Sequence, residues 1–385
     1  MMGLLLDRTR AGVKNNPCCR DVHSYTRAFR EPRERATDEV RMPSGDRQAA
    51  KVAVIIVNYR TPELTKRCLS TLHGEKDLLP ELQAIVVDGG SADGSAEGLR
   101  KEIDEPQYRD WVKLLPLALN GGFGWANNQA ILALAREKRV PDFVHLLNPD
   151  AEIRRGAVAT LARELQRHPQ CGAVGSLLLT PDGDAAASAF RFPSPGRELV
   201  NAAQSPWLGR LLGIAPTVVD AEASREVDWV TGASVMLRTK ALREAGLFDD
   251  GFFLYFEEVE LMHRLWLRGW TVRHVPESRV VHIEGASTGV AAGSSPERLP
   301  AYWYESRRRY YQLTSGGFRA IEANLGWIAG SAIRLAKRLI GRPGYGDGVR
   351  LADLLRVRPS PESDAAPSVP QWGDSPGKPP AWMAS

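Results

Sequence analysis

The chain has 385 residues, 43% of them hydrophobic, which suits one large or two modest globular domains. Its 50 Lys and Arg against 46 Asp and Glu leave a net charge of +4, too small a surplus to point to nucleic acid. Its 4 cysteines (Cys18, Cys19, Cys68, Cys171) follow neither a zinc nor a disulfide spacing, the apolar core of Met1–Arg8 is too short for a signal peptide, and no stretch is apolar enough to span a bilayer, so a reducing, cytoplasmic setting is expected.

Residues 1–50 are polar and arginine-rich and predict a flexible leader. Order is expected from Val52, where Val52–Val57 reads as a central parallel strand ending in Asn58-Tyr59-Arg60. A helix follows, with Thr61 as N-cap, Pro62 as its first residue and Leu64, Cys68, Leu69 and Leu72 inward. A second strand over Gln83–Val87 ends at Asp88, before Gly89-Gly90-Ser91-Ala92-Asp93-Gly94-Ser95. Asp88 sits where a ribose hydroxyl or a base edge is recognised, whereas Ser91 and Asp93 suit stabilising the turn and capping a helix from Ala96. No GxGxxG is present, so a nicotinamide site is not indicated. Val112–Leu115 is a third strand. After Asn120-Gly121-Gly122-Phe123-Gly124-Trp125-Ala126, Asn127 or Asn128 is expected to begin a helix to about Lys138 whose free N–H groups suit phosphate. The fourth strand, Phe143–Leu147, is stopped by Pro149. That stop puts Asn148 and Asp150 at a carboxyl end, where Asp150 suits either a divalent metal carrying a diphosphate or a helix cap. Repeated β-α units predict an α/β fold with a mostly parallel sheet.

In the second half, a helix is expected over Gly156–His168 with Val158, Leu161 and Leu165 inward, then a strand over Cys171–Leu179. Residues 184–226, with Pro193, Pro195, Pro206 and Pro216, carry no clear pattern. Val227–Arg238 reads as strand, bend, strand, and Lys240–Ala245 as a short helix closed by Gly246. The aromatic run Phe252–Phe256 leads into Glu257-Glu258-Val259-Glu260, a helix start with carboxylates at the positive end of its dipole. Glu260 pairs with Arg264 four residues on, while Glu257 or Glu258 is placed for base chemistry, with burial raising its pKa. Residues 270–276 and 278–285 predict two short strands, with His282 a core histidine or a metal ligand. Residues 285–299 are Gly/Ala/Ser-rich and expected to be mobile. Ala301–Tyr311 reads as a helix packed on the core with its arginines outside, or with arginine meeting a diphosphate. Leu325, Ile328, Ala332, Leu335 and Leu339 form an apolar stripe suited to a membrane surface or to the protein body. The expected organisation is a leader over 1–50, a nucleotide-sugar half over 51–175, an acceptor half over 176–300, a helical segment over 301–341 and a disordered tail over 342–385.

The ordered motifs resemble the inverting family 2 glycosyltransferases of GT-A (Rossmann-like) fold, in their bacterial rhamnosyltransferase-like branch. The matching features are the strand ending in Asn58-Tyr59, Asp88-Gly89-Gly90-Ser91-Ala92-Asp93-Gly94-Ser95, Asn120–Asn128, Leu147-Asn148-Pro149-Asp150, Thr231-Gly232-Ala233, the Phe252–Glu258 run and His282-Ile283-Glu284-Gly285-Ala286-Ser287, over roughly residues 51–315. The resemblance implies a nucleotide-sugar donor (dTDP-, UDP- or GDP-linked) and a glycan or lipid-linked saccharide acceptor. It implies Asp88 at the nucleotide, with Asn58 and Tyr59 lining base and ribose. Asn120, Gly121, Asn127 and Asn148 join the donor side. Asp150 takes the last position of a DxD-type motif whose first is Asn148, and His282 completes Mg2+ or Mn2+ binding. Glu258 stands where the family usually carries a catalytic aspartate, with Glu257 beside it. The cellular place implied is the cytoplasm or the inner membrane face, for polysaccharide of the cell envelope, and no oligomeric state is implied. Two other readings fit the residues. A sugar nucleotidyltransferase would want a glycine-rich, basic phosphate loop where Asn58-Tyr59-Arg60-Thr61-Pro62 stands. A sugar-nucleotide-binding scaffold would be consistent with Glu replacing the usual Asp.

Overall fold

The computed structural model describes residues 50–380 except 139, 221–222, 284–298, 340, 342–348, 350 and 357–365, and also Met383. The expected leader, save Ala50, and the expected mobile segment, save Leu299, lie outside the described residues.

The apolar runs of the first half form strands as their composition demands. They are β1 (Val52–Asn58), β2 (Leu82–Asp88), β3 (Val112–Pro116) and β4 (Phe143–Leu147), joined by α1 (Pro62–His73), α2 (Ser95–Ile103) and α3 (Phe123–Leu134). These four strands are parallel, in the order β3-β2-β1-β4, so their carboxyl ends share one edge. The second half holds β5 (Ala151–Ile153), α4 (Ala157–Arg167), β6 (Cys171–Leu179), β7 (Ala189–Phe190), α5 (Pro195–Ala203), α6 (Pro206–Leu211), β8 (Arg225–Val227), β9 (Trp229–Val230) and β10 (Ser234–Arg238). It continues with α7 (Thr239–Ala245), α8 (Glu257–Leu267), β11 (Thr271–His282), α9 (Ala301–Ser315), α10 (Gly317–Leu339) and α11 (Leu351–Arg356).

The full sheet order is β3-β2-β1-β4-β10-β6-β11-β5, with β8 on β11. β10 runs antiparallel to both β4 and β6, β5 and β8 run antiparallel to β11, and only β6 and β11 are parallel in this half. The sheet is therefore mixed, a correction to the mostly parallel expectation. β10 is almost wholly buried, and a strand covered on both faces has the same apolar sequence whichever way it runs. The two strands expected over 270–285 are one strand. A register shift between Val275 and Arg279 absorbs Pro276, whose missing N–H would otherwise break the ladder.

One face of the sheet is covered by α1, α2 and α4, through Cys68, Leu69, Leu99, Leu161 and Leu165. The other carries α3, α7 and α8, through Trp125, Ile131, Leu242, Leu261 and Leu265. A buried polar thread crosses the sheet from His145 to Ser234 (3.1 Å), Ser176 (2.8 Å), Ser278 (2.8 Å) and the Ala157 carbonyl (3.0 Å). Burial pushes His145 down to about 3, so it serves as a neutral partner.

Residues 184–226 gain their order from a distant part of the chain. α10 lies along α5, and a Cβ on Gly326 or Gly330 would overlap the carbonyl oxygens of Pro195 or Leu199. Lys337 Nζ then caps the end of α5 through the carbonyls of Ala203 (3.2 Å) and Gln204 (2.7 Å). This contact uses Ala323, Trp327 and Gly330, so the apolar stripe of α10 faces away from the body. The arginines of α9 also depart from expectation. Arg307 is buried against Glu198 and Asn324, and Arg309 against Asp249. Within the expected tail, residues 368–378 lie on the body. The Leu247 N–H donates to Pro370 O, Trp125 Nε1 to Lys378 O and the Gly377 N–H to Gln129 Oε1. Among the described residues, no helix is long and apolar enough to cross a membrane.

Candidate functional site

Three parallel strands deliver their last residues to one edge. The β1–β2 register sets Asn58 opposite Asp88, and both are buried. Asn58 Nδ2 donates to Asp88 Oδ1 at 2.7 Å, and Ser91 adds Oγ to Oδ1 at 2.6 Å and its N–H to Oδ2 at 3.1 Å. The other end of the Asn58 amide accepts from the Thr61 N–H, Thr61 Oγ1 and Thr65 Oγ1. It thus does the capping work expected of the Thr61 side chain, which caps nothing. Asn58 is spent on orienting Asp88 and α1, while Tyr59 stays partly open beside Gly89 with the Arg60 guanidinium 5.1 Å from its ring centre. Asp93 accepts from the Ser95 N–H at 3.0 Å, the turn-and-cap role.

Asn148 and Asp150 follow β4. The β11–β5 register sets His282 opposite Ala151, which brings the histidine to Asp150 across 132 residues of chain. His282 Nε2 lies 3.2 Å from Asp150 Oδ1 and 3.2 Å from Asn148 Nδ2. Asp150 is 4% exposed, and its Oδ1 has no hydrogen-bond partner of suitable geometry. A buried carboxylate oxygen beside an imidazole nitrogen suits a cation. Metal–ligand distances of about 2.1 Å put neighbouring ligands about 3 Å apart, so the pair fits Mg2+ or Mn2+. Among the described residues no third Asp, Glu, Cys or His joins them. That suits a cation completed by phosphate and water rather than by an all-protein cage. Cys68 is adjacent, but burial and then the Asp150 and Glu152 charges push its thiol up, so it stays protonated.

The acidic helix start lies against the β9–β10 bend and the start of α3. Tyr255 (φ 70°) and Phe256 (φ 67°) are both left-handed, a conformation costing roughly 1–3 kcal/mol per non-glycine residue, and together they swing α8 into place. Glu257 is buried with its Cβ against Gly124 and Phe248 nearby. Its pKa is pushed well up by burial and then by the charge of Glu258. Glu258 is less covered and sits at the β9–β10 bend, beside Gly232. Burial raises it too, against the N–H groups of Glu258, Gly232 and Val259. The next residue, Ala233, accepts the Asn148 N–H at 2.9 Å. The bend therefore joins Glu258 to the Asp150–His282 pair through a few contacts. Glu257 is the more deeply buried of the two carboxylates, and Glu258 is the one beside the bend.

The 120–129 stretch is used differently from expectation. α3 begins at Phe123, not at Asn127 or Asn128, and ends at Leu134 rather than Lys138. Asn120 Oδ1 accepts the Gly122 N–H at 3.0 Å. A Cβ on Gly121 would overlap the Trp125 ring, and one on Gly122 (φ 89°) the Phe253 carbonyl. The Phe123 N–H donates to that same carbonyl at 3.1 Å, so protein backbone occupies the approach expected for phosphate. Asn127 is fully buried and donates to Phe123 O, leaving its Oδ1 unpartnered. Asn128 holds Phe248 and Asp250. Asn120, Gly121, Asn127 and Asn128 thus shape the wall carrying Glu257. Ser91 and the Gly232–Ala233 bend hold the edge together. Ser91 showed only as a turn residue, and the bend's role depends on the antiparallel entry of β10.

Polar groups gathered at the carboxyl ends of the strands mark the edge at which open α/β sheets bind their ligands. Models of two families match the chain, "Glycosyl transferase family 2" over residues 53–202 and "Glycosyl transferase family group 2" over residues 213–340. The chain belongs to the family 2 glycosyltransferases, enzymes that move a sugar from a nucleotide-diphosphate donor to an acceptor. It is 32% identical over 246 residues to the N-acetylglucosaminyl-diphospho-decaprenol L-rhamnosyltransferase of Mycobacterium tuberculosis, covering 61% of this chain and 77% of the relative. It is 28% identical over 170 residues to the rhamnosyltransferase WbbL of Escherichia coli, covering 42% and 60%. Among solved structures, it is similar to a mannosyltransferase from Pyrobaculum calidifontis in complex with GDP-Man and Mn2+, at a TM-score of 0.47, 15% identity and 77% coverage of each chain.

Proposed function

We propose that this chain transfers a sugar with inversion from a nucleotide-diphosphate donor to a hydroxyl of a glycan or lipid-linked saccharide, with Glu258 as the base. The observation that carries this reading is the run of contacts from Glu258 through Gly232 and Ala233 to Asn148, Asp150 and His282. It puts a proton acceptor and a cation-fitting pair on one edge of the sheet. The oriented Asp88 carboxylate and the open Tyr59 ring lie at the neighbouring strand ends and suit the nucleoside. Asp150 and His282 hold a Mg2+ or Mn2+, which when bound offsets the charge of the diphosphate. Glu258 takes the acceptor proton as the hydroxyl oxygen attacks the anomeric carbon, and its raised pKa makes it a stronger base once ionised. Glu257, deeper and held neutral, keeps a second negative charge away from that proton. Rhamnose from a dTDP donor is the first sugar to test, because two similar proteins carry that name, with UDP- and GDP-linked sugars next. The setting proposed is the cytoplasmic side of the cell envelope.

Replacing Glu258 with Gln keeps size and packing and removes the base. Transfer measured with a donor and acceptor panel should fall about 10²–10⁴-fold, while donor binding by calorimetry stays within a factor of a few. Unchanged turnover in the variant would sink the assignment.

A further inference from the structure

Phe318, Ile321, Leu325, Leu335 and Leu339 recur along one line of α10 at helical steps, and all five are exposed, Phe318 at 85% and Leu339 at 82%. Scattered exposed apolar side chains need no explanation, but five on one side of a 23-residue helix, with exposed Ala332 and half-buried Ile328 between them, do. The line is not left over from packing. The body contact of α10 is made on its other side by Ala323, Trp327 and the close-approach glycines Gly326 and Gly330.

A second element extends the surface. Lys337 grips the Ala203 and Gln204 carbonyls, so the last turn of α10 lies beside the start of α6. On and just after α6, Trp207 (68% exposed), Leu211 (64%) and Leu212 also stand out in solvent. α6 thus adds exposed apolar side chains, a tryptophan among them, near the end of α10. An amphipathic indole of this kind favours a lipid–water boundary.

The charge on these two segments has one sign. Residues 205–213 and 317–339 carry Arg210, Arg319, Arg334, Lys337 and Arg338 against the single acid Glu322, which is itself paired with Arg319 at 2.8 Å. Two copies meeting through this face would oppose like charges, whereas acidic lipid headgroups meet it with opposite charge.

We infer that α10, with the exposed side chains of α6, docks on the surface of a membrane containing anionic lipid, apolar side chains entering the headgroup boundary and the net positive charge of the two segments favouring anionic headgroups. Docking is in the plane of the surface and needs no spanning segment. The inference concerns a surface and stands without the transfer reaction, so neither depends on the other's test.

The full chain is centrifuged with vesicles of phosphatidylcholine plus phosphatidylglycerol, with vesicles of phosphatidylcholine alone, and without lipid. The variant Leu325→Glu/Leu335→Glu, changed at two solvent-facing positions, is compared after circular dichroism shows the same fold. The expected result is co-sedimentation with the anionic vesicles, weakened by salt, and about tenfold or greater loss of partitioning in the variant. Absence of vesicle binding by the unaltered chain overturns the inference, as does equal binding by chain and variant. Vesicle-independent self-association that the variant abolishes, without lipid binding, also overturns it and assigns the face to a second copy.

Discussion

Asp250, in the loop before α8, shows what a single carboxylate can report. Burial pushes its carboxyl up to about 7 from 3.8, against the hydrogen bond from Asn128 and with Asp249 adding to the rise. Between those values the folded chain holds a proton that the unfolded chain releases, so this group's contribution to stability is full below about pH 4 and is lost as pH rises to about 7. Asp250→Asn keeps an oxygen for Asn128 and removes the titration. Its melting temperature should match the parent's near pH 4, exceed it increasingly up to about pH 7 and then hold a constant lead. A lead that does not grow with pH in thermal melts would count against the buried, titrating carboxylate. At this scale much of the site was readable beforehand. Asn58, Asp88, Asn148 and Asp150 each close an apolar run, and local composition is enough to find such ends. What could not be read was how each is used. Asn58 turns its amide on Asp88 and α1, because the β1–β2 register sets the two strand ends side by side.

Among the elements, α9 acts through Arg309. Its guanidinium gives 2.8 Å bonds to both oxygens of Asp249, with both side chains shut off from water, and so ties the helix to the loop that ends at Glu257. Arg309→Met would leave a buried carboxylate without its cation and should cost about 3–5 kcal/mol, measured by urea unfolding. The double variant Arg309→Met/Asp249→Asn removes both charges and should recover most of that loss. If it is as unstable as the single variant, the charge pair is not what holds the loop. Sequence patterning placed the α9 arginines outside, since a basic helix face looks the same whether water or a buried acid answers it. α3 was misplaced for a related reason. Gly121 and Gly122 read as an opening for ligand, but Gly121 makes room for the Trp125 ring and Gly122 for the Phe253 carbonyl, 131 residues away.

For the molecule as a whole, the parallel half was legible because each β-α unit is locally self-contained. The other half was not, because β10 enters antiparallel and α5 is packed by α10, more than a hundred residues later. The segment 368–378 is the extreme case. It closes over the 247–250 loop and α3, with Asp250 donating its N–H to Ser368 O and Leu247 to Pro370 O. Deleting residues 366–385 should lower the melting temperature and speed limited proteolysis between residues 247 and 256. Unaltered cleavage there would show that the segment lies on the loop without restraining it.

The Trp125–Lys378 bond joins residues 253 apart, and that span is also an interval of time. A ribosome adds about 5–20 residues per second, so the 96 residues from His282 to Lys378 take roughly 5–19 s to make. During that interval every residue of the strand-end cluster already exists, yet the wall behind Glu257 lacks its final tie. The nascent chain therefore holds its parallel strands before the bond that steadies the α3 wall can form.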